Sequence, residues 1–162
     1  MNWQTLLLSP EGRMSQGSFW LCALILFVAW VLSHLFHVFA PIIWLLLLYM
    51  WICVYAKRLH DFGRSAWLIL LPAVVGMGAV FMGLLFGGLS AIGAIVAMAT
   101  HGGEPSAWAA MFAGLGIMLA FLAVAGVAKV IFLLWVGLSP GDPGDNRYGP
   151  PPAPATAANP AA

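Results

Sequence analysis

The feature that most constrains the fold is the stretch from Ala66 to Ala99, which contains no charged residue in 34 positions. About 20 apolar residues cross a bilayer as a helix, so this stretch either exceeds one membrane span or is interrupted. A break in this helix would cost the least free energy at Gly87-Gly88. The 162-residue chain is 63% hydrophobic and 7% charged, whereas a soluble domain carries about 25% charged residues. We therefore predict an all-α integral membrane protein.

Four apolar stretches predict four transmembrane helices, arranged as two antiparallel hairpins. The predicted spans cover about residues 19–39, 42–56, 66–99 and 107–136. Pro41 is expected to force a tight turn between the first two spans. The second span is short, but the long side chain of Lys57 can extend to the interface and lengthen it.

The predicted N-terminal segment, residues 1–18, has no basic residue ahead of Leu6-Leu7-Leu8 and so lacks the pattern of a secretory signal. Trp3 and these leucines predict either one or two helical turns in the headgroup layer or a loose polar terminus. Ser15 or Ser18 can cap the first span by accepting from its free N–H groups. Residues 139–162 form a tail rich in Pro, Ala and Gly, predicted to be disordered from about Pro150.

The basic residues predict the orientation of the spans. All six fall at or beyond the same membrane face: Arg13, Lys57, Arg58, Arg64, Lys129 and Arg147. The opposite loops, around Pro41 and from Thr100 to Ser106, contain none, so both termini are expected to be cytoplasmic. The net charge of +1 is too low for a nucleic-acid-binding protein, which must neutralise several phosphates.

The loop between the second and third spans, Lys57–Trp67, admits a structural interpretation. If the helix continues one turn beyond the membrane, Lys57 and Arg58 can each pair with Asp61. Gly63 can then end the helix in the left-handed conformation, and Ser65 can cap the next helix. The loop would then be a charged, capped turn that fixes topology.

The same loop also admits a functional interpretation. Five cationic or titratable residues could present a positive cluster to an anionic lipid headgroup or a small anion: Arg13, Lys57, Arg58, His60 and Arg64. Asp61 would then orient one of the guanidinium groups. Both interpretations remain open from the sequence.

Small residues recur every four positions in the third span, at Ala79, Gly83, Gly87 and Ala91. This spacing places them on one helical face, which predicts close packing against a neighbouring helix. Glycines in the fourth span, at 114, 116 and 126, allow the same close approach.

Candidate metal and catalytic sites are weaker. His34 and His37 share a helical face and could bind a metal with His101 or Glu104, but interfacial histidines explain the pattern better, and we predict no metal site. Cys22 and Cys53 are expected to be free thiols on the reducing side of the membrane. No hydrolase, metalloprotease or phosphate-binding motif occurs, so the sequence predicts neither enzymatic activity nor a cofactor.

Several short motifs resemble, in order and spacing, the small bacterial membrane proteins of domain-of-unknown-function family 805. They are Gly12-Arg13, Phe19-Trp20, Lys57–Trp67, Gly141, Gly144 and Asn146–Pro150. The chain departs from that pattern at Gln16 and Lys57, where the family has arginine, and at Ala66, where it has glycine. The resemblance implies a bacterial inner-membrane protein without an established activity.

The resemblance also implies that the tail segment belongs with the loop. Asn146, Tyr148 and Gly149 would form a structural turn there. Asp142 or Asp145 would pair with Arg13, Arg58 or Arg64 on one cytoplasmic face. Such exposed pairs each contribute only about 0 to 1 kcal/mol.

Two functional hypotheses follow. The preferred one is a non-enzymatic protein that associates with itself, with an envelope complex, or with anionic phospholipid through the Lys57–Trp67 loop. The alternative is a small transporter or channel subunit that oligomerises through the glycine-rich third and fourth spans. A pathway requires polar residues along a helix, and Ser90 is the only one between Ala66 and Ala99, which weighs against transport by a monomer.

Overall fold

The computed structural model describes residues 3–36 and 38–152, apart from the side chain of His101. In these residues the protein is all-helical and has no β-strand. Four helical stretches are long and apolar enough to span a membrane: Gln16–Ser33, Ala40–Asp61, Ala66–Thr100 and Pro105–Leu138. The predicted four-span helical fold is confirmed. The disorder predicted from about Pro150 falls mostly on residues 153–162, outside the described part.

The chain divides into two compact units. The first unit contains the residues up to Ile69 together with those from Leu134 onward, and the second unit contains Leu70–Leu133. The first unit therefore brings together the two ends of the described chain.

The first unit begins with three helices, α1 (Trp3–Leu8), α2 (Gln16–Ser33) and α3 (Ala40–Asp61). The short N-terminal helix predicted as one of two alternatives is present as α1. Ser15 caps α2, since its hydroxyl oxygen accepts from the Ser18 N–H at 3.3 Å. A helical turn of 3₁₀ type, Ala66–Ile69, follows α3.

The turn between α2 and α3 differs from the prediction. Helix α2 ends at Ser33, not near Phe39, because side chains there take over helix-end acceptors: the Ser33 hydroxyl donates to the Trp30 carbonyl at 2.6 Å. The Trp44 indole N–H donates to the same hydroxyl at 3.0 Å and ties α3 to α2. Pro41 lies in the first turn of α3, where its missing N–H costs nothing, so the predicted Pro41 turn is wrong.

Helices α2 and α3 pack on each other and form the apolar core of the first unit. The core side chains are large and almost fully buried: Phe19, Cys22, Leu26, Cys53, Val54 and Leu59. Both cysteines are free thiols, as predicted.

The second unit contains α4 (Leu70–Met82), a π-helical segment (Gly83–Gly88), α5 (Leu89–His101) and the part of α6 (Pro105–Leu138) up to Leu133. The third span is therefore continuous, and the interruption expected near Gly87-Gly88 takes the form of one widened helical turn. Most large apolar side chains of this unit are exposed, as lipid-facing residues would be.

The α4–α5 stretch and α6 run antiparallel and touch at glycines. A Cβ added to Gly83 would lie 3.3 Å from the Phe121 Cβ, and one added to Gly87 would lie 2.5 Å from the Gly114 carbonyl oxygen. A Cβ on Gly114 would in turn lie 2.8 Å from the Ala91 nitrogen. Of the four predicted small residues, Gly83, Gly87 and Ala91 lie in this contact, and Ala79 is buried.

Candidate functional site

The polar residues of the first unit converge on Arg13, which lies in the segment between α1 and α2. Its side chain is only 1% exposed, and its Nε donates to Asp61 Oδ1 at 3.1 Å. Nη1 donates to the carbonyl oxygens of Gly144 at 2.7 Å and Gly149 at 3.2 Å. Nη2 donates to the carbonyl oxygens of Asp142 at 2.5 Å and Asp61 at 3.1 Å. Arg13 thus joins the N-terminal segment, the end of α3 and the tail.

Arg58, on the last turns of α3, is the largest fully buried side chain and is 1% exposed. Its Nη1 donates to Asp61 Oδ2 at 2.5 Å and to the Met14 carbonyl at 3.3 Å. Its Nε and Nη2 donate to the carbonyls of Val136 at 3.2 Å and Ser139 at 2.5 Å, where α6 ends. These acceptors at the C-terminal end of α6 also attract the cation through the helix dipole.

Asp61 is the carboxylate between the two guanidinium groups, and its side chain is 4% exposed. Each of its oxygens accepts from one arginine, and its backbone carbonyl accepts the Asp142 N–H at 2.8 Å. Gly141 lies so close to the carboxylate that a Cβ there would overlap it. We call Arg13, Arg58 and Asp61 the buried cluster.

The predicted pairing of Arg58 with Asp61 is confirmed, whereas the carboxylate partners predicted in the tail were wrong. Asp142 or Asp145 was expected to pair with Arg13, Arg58 or Arg64 at an exposed position. In the described residues both ion pairs use Asp61 and are buried, and Asp142 Oδ2 accepts instead from Asn146 Nδ2 at 2.9 Å. Burial matters because removing one partner would leave a desolvated charge, which costs far more than an exposed pair contributes.

Lys57 does not pair with Asp61, contrary to the prediction. Its side chain turns toward α1, where Nζ donates to the carbonyl oxygens of Thr5 and of Leu6, the latter at 2.8 Å. These carbonyls lie in the last turn of α1, which ends at Leu8, and the helix dipole favours a cation there. Lys57 thereby fastens α1 to α3.

Most residues of the positive cluster that was predicted to bind an anionic lipid are therefore buried. Lys57 and Arg58 are 4% and 1% exposed, and the Arg13 side chain is equally covered. All three are engaged by carbonyls or by Asp61, so none of them presents its charge to a headgroup. Of the five proposed residues, Arg64 is exposed and His60 is half-buried.

The turn after α3 has the geometry that the sequence predicts. Gly63 has φ of 70°, and its N–H donates to the His60 carbonyl at 3.1 Å, while the Arg64 N–H donates to the Leu59 carbonyl at 2.8 Å. This pair of bonds is a Schellman motif. The Ser65 hydroxyl oxygen accepts from the following helical turn, at 3.4 Å from the Trp67 nitrogen.

The tail closes over this turn through Asn146. Its side-chain amide donates to the His60 carbonyl at 2.9 Å, and its Oδ1 accepts the Tyr148 N–H at 2.9 Å. Backbone bonds in both directions join Asn146 to Gly149, whose φ of 116° favours glycine. The three tail residues that the resemblance implied as a structural turn do form one.

The side chains of His60, Tyr148 and Arg147 stack on one another at the tail turn. The His60 and Tyr148 rings lie 3.7 Å apart and nearly parallel, at 11°, and His60 Nδ1 donates to the Gly12 carbonyl at 3.2 Å. The Arg147 guanidinium lies 4.7 Å from the Tyr148 ring centroid, and its Nη2 donates to the Gly63 carbonyl at 3.3 Å. Arg147 is exposed and was not among the predicted site residues, although it lies inside the Asn146–Pro150 motif.

The structure offers no described group of three metal-ligating side chains. His34 Nδ1 donates to the Trp30 carbonyl at 2.9 Å, which occupies it as a helix-end side chain. His37 and the His101 side chain lie outside the described part. The absence of a metal site stays a prediction.

Comparison with protein-family models identifies the family of this chain. The model of a family described as "Protein of unknown function (DUF805)" matches residues 7–150. These bounds take in α2, α3, the buried cluster and the tail turn. Neither the search of curated proteins nor the search of solved structures returns a match.

Proposed function

Because the chain belongs to the DUF805 family, whose function is unknown, we propose that it is a non-enzymatic inner-membrane protein that acts by association. The proposed partner is a second copy of the chain or another envelope protein, held at the face that the Lys57–Trp67 loop and the tail form together. In this proposal both termini are cytoplasmic.

The buried cluster is the observation that carries this proposal. Arg13, Arg58 and Asp61 are the residues best suited to chemistry in the first unit, and internal partners occupy all three. An arginine whose N–H groups donate to backbone carbonyls of distant segments holds those segments in one arrangement. Fixing a surface in this way supports recognition, since a preorganised surface loses less conformational entropy on binding.

The arrangement of the first unit supports the proposed orientation. The N-terminal segment, through Arg13, and the tail, through Asn146, both bond to the C-terminal end of α3. Both ends of the described chain therefore lie at the same end of the α2–α3 hairpin. Three further basic residues lie in or next to the same turn, at 57, 58 and 64, which favours the cytoplasmic side.

The transport alternative gains no support from the second unit. Ser90, the polar residue of the long apolar stretch, places its hydroxyl 3.5 Å from the Ala110 carbonyl oxygen. The antiparallel helices approach so closely at Gly87 and Gly114 that a Cβ added to either glycine would overlap the carbonyl oxygen of the other. A close glycine contact joins helices and leaves no space for a solute between them.

Association is tested with two differently tagged copies, co-expressed and extracted in a polymer that retains native lipid. We expect one tag to retrieve the other copy, or one further envelope protein in fixed ratio. Asn146→Ala should reduce this yield several-fold, since it removes the hydrogen bond from Asn146 Nδ2 to the His60 carbonyl, which closes the tail over the loop. Asp145→Ala, an exposed change in the same segment, is the matched control.

The proposal is contradicted if the wild-type protein is recovered as a single copy without a protein partner. It is also contradicted if Asn146→Ala and Asp145→Ala retain the partner equally while the tail is shown to be loosened. An unrelated multi-pass protein carrying the same tags measures retrieval caused by overexpression alone.

A further inference from the structure

The six basic residues divide into two groups by exposure. Arg13, Lys57 and Arg58 are buried and bonded to internal acceptors. The exposed group consists of Arg64 and Arg147 in the first unit and Lys129 in the second. The charge that the first unit offers to a ligand therefore comes from two arginines that are 83 positions apart in the sequence.

The tail brings these two arginines to the same turn. Arg147 Nη2 donates to the carbonyl of Gly63, the residue directly before Arg64. The Tyr148 ring under its guanidinium also restricts Arg147. In the described residues the side chain of Arg64 and the Nη1 and Nε groups of Arg147 donate to no protein acceptor, so these N–H groups are available to a ligand.

The third member of this surface is Trp67, whose side chain is 78% exposed. It lies in the 3₁₀ turn that leads into the third span, three residues after Arg64. Tryptophan concentrates at the level of the lipid headgroups, where its ring is in apolar surroundings and its N–H is hydrated. The neighbouring arginines are thus expected at the depth of the phosphates.

Asp142 and Asp145 are the carboxylates in the same tail segment. Asp142 Oδ2 accepts from Asn146 Nδ2 at 2.9 Å, so its charge is engaged within the tail. Arg147 avoids ion pairing with either, since both described ion pairs of the protein use Asp61. Neither guanidinium group therefore forms an ion pair within the described residues.

We propose that Arg64, Arg147 and Trp67 form a binding site for the headgroup of an anionic phospholipid. A planar guanidinium donates two parallel N–H groups to phosphate oxygens, and two such groups can hold one phosphate diester from two directions. Trp67 would contact the glycerol and upper acyl region. This inference goes beyond the proposed association with a protein, and it moves the lipid contact expected from the sequence from Arg58 to residues that reach the surface.

Native mass spectrometry of the purified full chain, with equal amounts of phosphatidylglycerol and phosphatidylcholine of matched acyl chains, tests the site. The wild type should bind phosphatidylglycerol preferentially. Arg64→Gln and Arg147→Gln should each lower the preference about fivefold, and the double variant roughly thirtyfold, because a basic residue near an anionic surface contributes on this scale. Raising the salt concentration should weaken the wild-type preference.

Two controls decide between this site and general attraction to charge. Lys129→Gln removes an equal charge from the second unit and should leave the preference unchanged. Arg64→Lys with Arg147→Lys keeps the charge but loses the paired N–H groups of each guanidinium, so it should lower the preference, whereas general attraction to charge would retain it. The inference is overturned if the wild type shows no preference, if the double glutamine variant keeps it, or if Lys129→Gln lowers it equally. None of these outcomes alters the result expected for tagged copies.

Discussion

Asp61→Ala should destabilise the protein more than any other single substitution at the C-terminal end of α3. It removes the carboxylate shared by two buried arginines and leaves both charges without a counter-ion. Breaking a buried ion pair in this way costs about 3 to 5 kcal/mol. We expect the variant to accumulate poorly in membranes. In mild detergent it should unfold at a clearly lower temperature than the wild type, as measured by the loss of the helical circular dichroism signal.

Asp145→Ala serves as the control for this prediction. It removes an exposed carboxylate from the same segment that Asp61 holds, and surface substitutions of this kind change stability by about 0.5 kcal/mol or less. Equal melting temperatures for the two variants would show that the buried cluster contributes nothing specific to stability.

Gly87→Ala should weaken the second unit although it adds only one methyl group. The new Cβ would lie 2.5 Å from the Gly114 carbonyl oxygen and 2.8 Å from the Met118 nitrogen, and both are backbone atoms that cannot rotate away. The antiparallel helices would have to separate. Overpacking of a tight contact costs typically about 1 to 3 kcal/mol, occasionally more. Thermal unfolding in mild detergent measures the loss.

Gly88→Ala is the matched control, because a Cβ at this adjacent position meets nothing within 4 Å. Alanine favours the helix over glycine by up to about 1 kcal/mol, so this variant should be neutral or more stable. If both alanine variants melt together, the glycine contact does not hold the second unit.

Local features of the fold could be predicted from the sequence because they depend on residues a few positions apart. Ser15 caps α2, Gly63 ends α3 in the left-handed conformation, and Ser65 caps the following turn. The four spans follow from runs of apolar residues, which need no knowledge of tertiary contacts.

The Arg58–Asp61 pair could be predicted from its spacing of three residues, but the pairing of Arg13 with Asp61 could not, because these two residues are 48 positions apart. Asp142 and Asp145 were equally plausible partners on charge alone, and only burial distinguishes Asp61 from them. Arg58 is also buried, so it is an internal cation and not the lipid-facing cation that the sequence suggested.

The role of Lys57 could not be predicted from the sequence for a different reason. Its acceptors are backbone carbonyls of α1, which every residue carries and which therefore leave no signal in the sequence. The same holds for the carbonyls that bind Arg13 and Arg58. Arg147 could have been found, since it lies within the motif that the resemblance identified, but its place beside Arg64 depends on how the tail folds.

The central claim is that the buried cluster holds the tail against the end of α3, and hydrogen–deuterium exchange of the full chain tests it most directly. The Asp142 N–H is bonded to Asp61, and the amides of Asn146 and Gly149 are bonded to each other's carbonyls. We predict slow exchange in peptides covering residues 142–149 of the wild type and fast exchange in Asp61→Ala. Exchange of the wild-type segment at the rate of an unstructured peptide would contradict the account.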